Sequence, residues 1–213
     1  MLEVPVEQRH AVADSHRRLI VLTGALFFLS GFAALLYQVA WQRELFAWFG
    51  VDLDSVSTIV SVFMLGLGVG AMAGGWLADR FARRRILIFA LIELTIGAFG
   101  FFSLGIIDGV GGLVAADSLL RLVVLTFLVF IIPTCAMGAT LPVLVTELVE
   151  ITDNVGFSTG TLYFINTLGA AAGALAGGLA LLSLDGLDGV VAVAAVLNLS
   201  ISAVAYLAIS RTP

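Results

Sequence analysis

Glu93 is an ionisable side chain inside a long apolar segment that runs from Ile86 to Ile107. It comes seven residues after Ile86, roughly 10 Å along a helix that rises about 1.5 Å per residue. Asn166 and Thr140 occupy comparable depths in two other apolar segments, and Pro142 beside Thr140 frees a backbone carbonyl. If these segments cross a membrane, such polar groups are candidate functional residues. A Glu93, Thr140 and Asn166 cluster would hold a cation or relay a proton; the alternative is an inter-helix hydrogen bond by a neutral or paired glutamate.

A second polar cluster lies near the end of the first apolar segment and comprises Tyr37, Gln38, Trp41, Arg43 and Glu44. One interpretation is structural: Tyr and Trp anchor a helix at the membrane interface, and Arg extends its charge to water. The other is an outward-facing site in which the two aromatic rings offer cation–π faces to an ammonium ligand. That second interpretation is the one residue-level indication of a polyamine.

The composition requires lipid as the solvent for most of the chain. Of the 213 residues, 61% are hydrophobic and 12% are charged, with a mean hydropathy of +1.13. Soluble domains carry about 45–50% apolar and about 25% charged residues. The sequence therefore predicts an all-α integral membrane fold with six spans of about 20 residues, after a tail at residues 1–18. The predicted spans are Leu19–Trp41 (continuing as helix towards Phe49), Val56–Ala78, Ile86–Ile107, Leu119–Val145, Phe157–Leu182 and Val190–Ile209.

The same composition argues against catalysis. The apolar segments contain no nucleophile–base pair and no cluster of metal ligands, and the single Cys135 cannot form an internal disulfide. We therefore predict a protein that is not an enzyme, with no cofactor, no metal and no nucleic-acid partner.

The distribution of arginine predicts the orientation. All ten basic residues are Arg, and most lie in the N-terminal tail, in the loop after span two and at the C-terminus. Six spans put these three segments on one side, whereas the opposite loops carry Asp52, Asp54, Asp108, Asp117, Asp185 and Asp188. By the positive-inside rule both termini are cytoplasmic, in a multi-pass protein of the plasma or inner membrane.

An internal repeat divides the predicted membrane domain, residues 19–210, into two halves at about 19–107 and 119–210. A shift of 103 residues lays the segment 65–75 on 168–178 with seven of eleven positions identical, and lays Glu44 on Glu147. Each half holds three spans, so the two halves have inverted topology, as in many transporters. Small residues in rows allow close helix packing in lipid, and the predicted packing positions are Gly70, Gly74, Gly169, Gly173 and Gly177.

The segment 75–85, Gly-Trp-Leu-Ala-Asp-Arg-Phe-Ala-Arg-Arg-Arg, resembles the cytoplasmic loop signature of the major facilitator superfamily, with Ala82 replacing its usual glycine. The charged members of this segment are Asp79, Arg80, Arg83, Arg84 and Arg85. They have two possible roles. One is to set topology through positive charge, and the other, which the resemblance implies, is a conformational latch that pairs with Glu147 or Glu150.

Three further segments, residues 28–43, 138–142 and 162–170, look like the membrane part of spermidine-synthase-like proteins. Many members of that group carry a soluble aminopropyltransferase-like domain, and this chain resembles the short, membrane-only form without it. The resemblance implies half of a major-facilitator transporter, and a homodimer would complete its central pathway. The predicted function is transport or binding of a small cation, such as a polyamine. The alternative is a non-transporting scaffold that binds a partner.

Overall fold

The computed structural model describes residues 6–49, 53–111, 119–181 and 186–210, and these residues form an all-helical bundle. The long helices are α1 (Val6–Phe49), α2 (Leu53–Arg80), α3 (Arg85–Gly111), α4 (Leu119–Thr152), α5 (Val155–Leu175) and α6 (Gly186–Ser210). Within these described residues, six helices are long and apolar enough to cross a membrane, which confirms the predicted fold class. Of the residues that predict the orientation, Asp52, Asp117, Asp185 and the C-terminal arginine, Arg211, lie outside the described residues.

Helix α1 is longer than the predicted span because it begins at Val6, inside the segment expected to be a tail. Residues 6–18 contain no Pro or Gly and include Ala, Glu, Gln and Arg, which favour helix. The part of α1 with membrane-spanning character is His16–Ala47. Helical propensity therefore extends α1 beyond its apolar part.

Helix α4 continues through both Pro133 and Pro142. A proline removes one backbone hydrogen bond, and neighbouring hydroxyl groups can satisfy exposed carbonyls in lipid. The carbonyls that lose their N–H donor are those of Val129 and Gly138, four residues before each proline. Thr134 and Thr146 donate instead to the carbonyls of Phe130 and Pro142, at 2.7 and 2.9 Å, as hydroxyls within a helix commonly do. Helix α5 is followed directly by a π-helical turn at Ala176–Leu181, which extends this span at its glycine-rich end.

The helices pack in pairs that reflect the repeat. Helix α1 contacts α5, α2 contacts α4, and α3 contacts α6; α3 also contacts α4, and α1 contacts α6. Exchanging α1 with α4, α2 with α5 and α3 with α6 converts each of these contacts into another contact of the same set. The bundle therefore has the two-fold pseudosymmetry of two inverted three-helix repeats.

The glycine rows occupy equivalent positions in this arrangement. A Cβ added at Gly70 would overlap the carbonyl of Cys135, and one added at Gly173 would overlap the carbonyl of Phe32. Both pairs are related by the shift of 103 residues found in the sequence. Gly74 and Gly177 likewise face Ala139 and Leu36, while Gly169 faces Phe28. The five glycines thus let α2 approach α4 and α5 approach α1, inside the bundle.

Two apolar layers and one polar layer make up the interior. One apolar cluster contains Trp41, Phe63 and Phe130, and the other contains Phe27, Phe89 and Leu144. Along α1, α3, α4 and α6, a buried polar residue separates the two clusters; these residues are Ser30, Glu93, Thr140 and Asn198. We refer to these four residues as the polar layer.

Candidate functional site in the polar layer

The Glu93 carboxylate is the centre of the polar layer and has no exposed surface. Ser30 of α1 donates to its Oε1 at 2.6 Å, and Asn198 of α6 donates to its Oε2 at 2.5 Å. All three residues lie near the middle of their spans. Glu93 therefore links α1, α3 and α6 at mid-membrane depth, where a carboxyl group without such partners would be costly.

A cavity of about 130 Å³ lies beside this group and is lined by residues of all six helices. Its polar lining residues are Ser30, Gln38, Thr140, Asn166 and Asn198. At about 30 Å³ for each water molecule in the liquid, this volume corresponds to about four waters. None of the described residues that line the cavity is charged. Glu93 lies behind Ser30 and Asn198, which line the cavity and hydrogen-bond its carboxylate.

One buried acceptor in this region lacks a partner. Asn198 is 1% exposed, and its Oδ1 has no hydrogen-bond partner among the described residues. Its Nδ2 is committed to Glu93, so the amide presents a free carbonyl oxygen in a residue that lines the cavity. Buried acceptors of this kind normally bind a donor, whether protein, water or ligand. The site can therefore accept a hydrogen-bond donor or a cation.

Thr140 and Asn166, predicted to cluster with Glu93, line the same cavity but make other hydrogen bonds. Thr140 donates to the carbonyl of Met137 at 2.7 Å, and Asn166 donates to that of Phe27 at 3.1 Å. The partners of Glu93 are instead Ser30 and Asn198, which the sequence analysis did not single out. Both are polar residues near the middle of their spans, so their depth could have identified them as candidates. Depth could not identify them as partners of Glu93, because that depends on how each helix is rotated about its axis.

Tyr37 and Trp41 are placed differently from either interpretation given above. Both side chains are 0% exposed, and their rings stack with centroids 5.0 Å apart. Trp41 donates from Nε1 to Ser103 at 2.8 Å and contacts the ring of Phe130 at 4.9 Å. The rings are part of the apolar interior, so they are neither interfacial anchors nor an open cation–π face. Ring stacking and the hydrogen bond from the buried indole N–H to Ser103 favour this interior position.

The other members of the predicted outer cluster lie at different places in the structure. Gln38 lines the central cavity, whereas Arg43 is exposed and lines a different recess. Glu44 is half-buried. Adjacent residues on a helix point in different directions, so this cluster does not form one site.

Among the charged residues of the loop signature, Arg85 contacts both α2 and α4, and the conformational latch stays a prediction. Arg85 is buried, donates from Nε to the carbonyl of Ala78 at 3.1 Å and forms an ion pair with Glu150. It also reaches the carbonyl of Thr146 at 3.5 Å. These contacts join the end of α2, the start of α3 and the end of α4. The other charged members of the loop, which are exposed, are Asp79, Arg80, Arg83 and Arg84.

Within the described residues, no group of three His, Cys, Asp or Glu side chains is placed to hold a metal ion. The comparison with protein families matches residues 19–213 to the Major Facilitator Superfamily. The chain belongs to this superfamily. No curated protein and no solved structure matches it. The family assignment identifies a transporter-like, multi-pass membrane protein, in agreement with the six helices and the loop signature.

Proposed function

We propose that this superfamily member binds and moves a small cationic solute through the cavity beside the polar layer. The single observation that carries the proposal is the fully buried Glu93 carboxylate, whose hydrogen-bond partners Ser30 and Asn198 line a cavity formed by all six helices. A carboxylate favours a cation in low-dielectric surroundings, where charge interactions are strong. None of the described residues that line the cavity is Arg or His, which disfavours an anion.

The unpaired Oδ1 of Asn198 supports the same chemistry. An ammonium ion has only donors, and an alkali cation prefers oxygen ligands. The hydroxyl of Thr140 and the amides of Gln38 and Asn166 supply further oxygens around the cavity. A cation entering the cavity would exchange part of its hydration shell for these oxygens while remaining near the Glu93 charge.

Size restricts the substrate. A cavity of about 130 Å³ accepts an inorganic cation, a methylammonium-sized ion or the end of a longer amine. A polyamine, and with it the narrower resemblance to spermidine-synthase-like proteins, stays a prediction. The predicted homodimer also stays a prediction. Because the glycine rows are occupied inside the bundle, a second copy would have to use a different surface.

The proposal is tested by flux into proteoliposomes with a panel of sodium, potassium, methylammonium, putrescine and spermidine. The test variant is Glu93→Gln, which keeps the size of the side chain and can still hydrogen-bond Ser30 and Asn198. The matched control is Asp153→Asn, the same chemical change at an exposed residue with φ of 51°, a conformation that Asn tolerates.

We expect saturable uptake of at least one cation, reduced roughly tenfold or more by Glu93→Gln and unchanged by Asp153→Asn. Saturable uptake that Glu93→Gln leaves unaltered would remove the role of the carboxylate. Failure of the wild-type protein to transport or bind any member of the panel would favour the scaffold alternative.

A further inference from the structure

A larger cavity, of about 440 Å³, lies at the Arg-rich end of the bundle between α1, α3, α4 and α6. Its inner walls are apolar and include Leu19, Leu22, Leu26, Phe89, Leu144 and Ala205. Phe89 precedes Glu93 by one helical turn, so the cavity extends from the membrane surface towards the polar layer. It is thus a deep apolar recess that opens near charged residues.

The mouth of this recess carries more positive than negative charge. The charged residues of its lining are Arg83, Arg84, Arg85, Glu147 and Glu150. Arg85 is paired with Glu150, so two exposed arginines are opposed by the single half-buried carboxylate of Glu147. Other exposed charged residues near this end are Arg17, Arg18 and Arg80, against Asp79 and Asp153, so the balance remains positive.

We propose that this recess binds an anionic phospholipid from the leaflet at the Arg-rich end, which the positive-inside rule assigns to the cytoplasm. Arg83 and Arg84 bind the phosphate, and one acyl chain lies along the apolar walls. Guanidinium groups match phosphate oxygens in geometry and charge, and basic pockets between membrane helices on the cytoplasmic side bind anionic headgroups.

The apolar walls and the positively charged mouth of the recess together favour an anionic phospholipid over other ligands. A soluble anion would leave the apolar depth of the recess unfilled, and a cationic solute would meet the arginines first. A lipid without net charge would gain less from the positive excess at the mouth. A lipid bound here would contact the loop before α3 together with α1, α4 and α6. The proposal is independent of transport, since it concerns a different cavity from the one beside Glu93.

The test measures lipid retention by the purified full chain in dodecyl maltoside, using native mass spectrometry with phosphatidylglycerol, phosphatidylethanolamine and phosphatidylcholine. Glycerol phosphate, which has the anion without acyl chains, serves as the soluble competitor. The charge variant is Arg83→Gln with Arg84→Gln. Its matched control is Arg43→Gln with Arg121→Gln, two exposed arginines at the opposite end of the bundle.

A second pair of variants tests the apolar depth and covers the case in which charge neutralisation alters folding. Ala208→Phe places a ring in the recess, whereas Ala203→Phe adds the same ring at an exposed position of the same helix. Each protein is first checked for an unchanged elution volume and helical circular dichroism.

We expect preferential binding of phosphatidylglycerol. The double change at Arg83 and Arg84 should weaken this binding roughly 30-fold, because each arginine contributes about 1 kcal/mol and about 1.4 kcal/mol corresponds to a tenfold change in affinity. Ala208→Phe should weaken it as well, and both controls should retain it. Equal binding of the three lipids would overturn the anionic assignment. Full competition by glycerol phosphate would overturn the lipid assignment, and unchanged binding in the charge variant would overturn the site.

Discussion

The contacts of Arg85 lead to an asymmetric prediction about its ion pair. Arg85 is 9% exposed as a side chain, whereas its partner Glu150 is 61% exposed. The guanidinium also donates to the carbonyl of Ala78 at the end of α2. Removing Arg85 therefore breaks a buried charged hydrogen bond as well as the ion pair, whereas removing the charge of Glu150 affects only a partner that water can replace.

The magnitudes follow from these environments. A hydrogen bond that involves a charged group contributes about 1.5–3 kcal/mol, and an exposed ion pair contributes about 0.2–1 kcal/mol. Arg85→Gln should lower the free energy of unfolding by about 2–4 kcal/mol. Glu150→Gln should lower it by at most about 1 kcal/mol, because an exposed carboxylate adds little to the pair. Arg84→Gln, at an exposed position of the same loop, should change it by less than about 0.5 kcal/mol.

The assay is equilibrium unfolding in mixed micelles of dodecyl maltoside and sodium dodecyl sulfate without added lipid. Tryptophan fluorescence provides the signal, since Trp41 is fully buried among aromatic rings. A double-mutant cycle of Arg85→Gln with Glu150→Gln isolates the coupling between the two side chains. A cost for Glu150→Gln equal to that for Arg85→Gln would refute the argument, because the pair alone would then account for the stabilisation.

Two further predictions use the same unfolding assay. Each compares two substitutions, one expected to lower the free energy of unfolding and the other expected to leave it unchanged or raise it. Gly70→Ala should cost about 1–3 kcal/mol because its Cβ would overlap a backbone carbonyl of α4, whereas Gly68→Ala faces open space and should stabilise by up to about 1 kcal/mol. Equal effects would show that α2 and α4 are not in close contact. Tyr37→Phe removes a buried hydroxyl that has no partner among the described residues, so it should be neutral or stabilising by about 1 kcal/mol. Ser103→Ala removes the acceptor of the Trp41 indole N–H and should cost about 1–3 kcal/mol. A loss of stability in Tyr37→Phe as large as in Ser103→Ala would contradict this assignment.

The repeat illustrates what a sequence pattern can predict about a membrane fold. In lipid the hydrophobic effect does not drive helices together, so close packing depends on small residues, and these leave a regular signal in the sequence. The shift that aligns Gly70 with Gly173 also relates the backbone carbonyls on which they pack, those of Cys135 and Phe32. The spacing of the glycines therefore predicted the packing positions and their repeat, whereas the structure showed which helix each row packs against.

The site was less predictable because partner choice depends on how each helix is rotated about its axis. Depth along a span placed Glu93, Thr140 and Asn166 at one level, and all three lie in or beside one cavity region. Depth along the span does not predict that the Glu93 side chain contacts Ser30 and Asn198. Nor does it predict that Trp41 turns inwards, because an aromatic residue near a helix end is equally consistent with an anchor at the interface.

The sequence by itself determined that the chain is an all-helical membrane protein, with six spans, two inverted repeats and one Arg-rich end. These properties follow from composition, segment length and spacing, which do not depend on contacts between distant residues. The tertiary structure decided which polar groups meet. It placed Ser30, Glu93 and Asn198 in one layer between two apolar clusters, and it singled out Arg85 as the arginine that joins three helices. The physical reason is that the apolar composition of a helix decides whether it lies in lipid. Its rotation about its own axis is decided by its contacts with all the neighbouring helices.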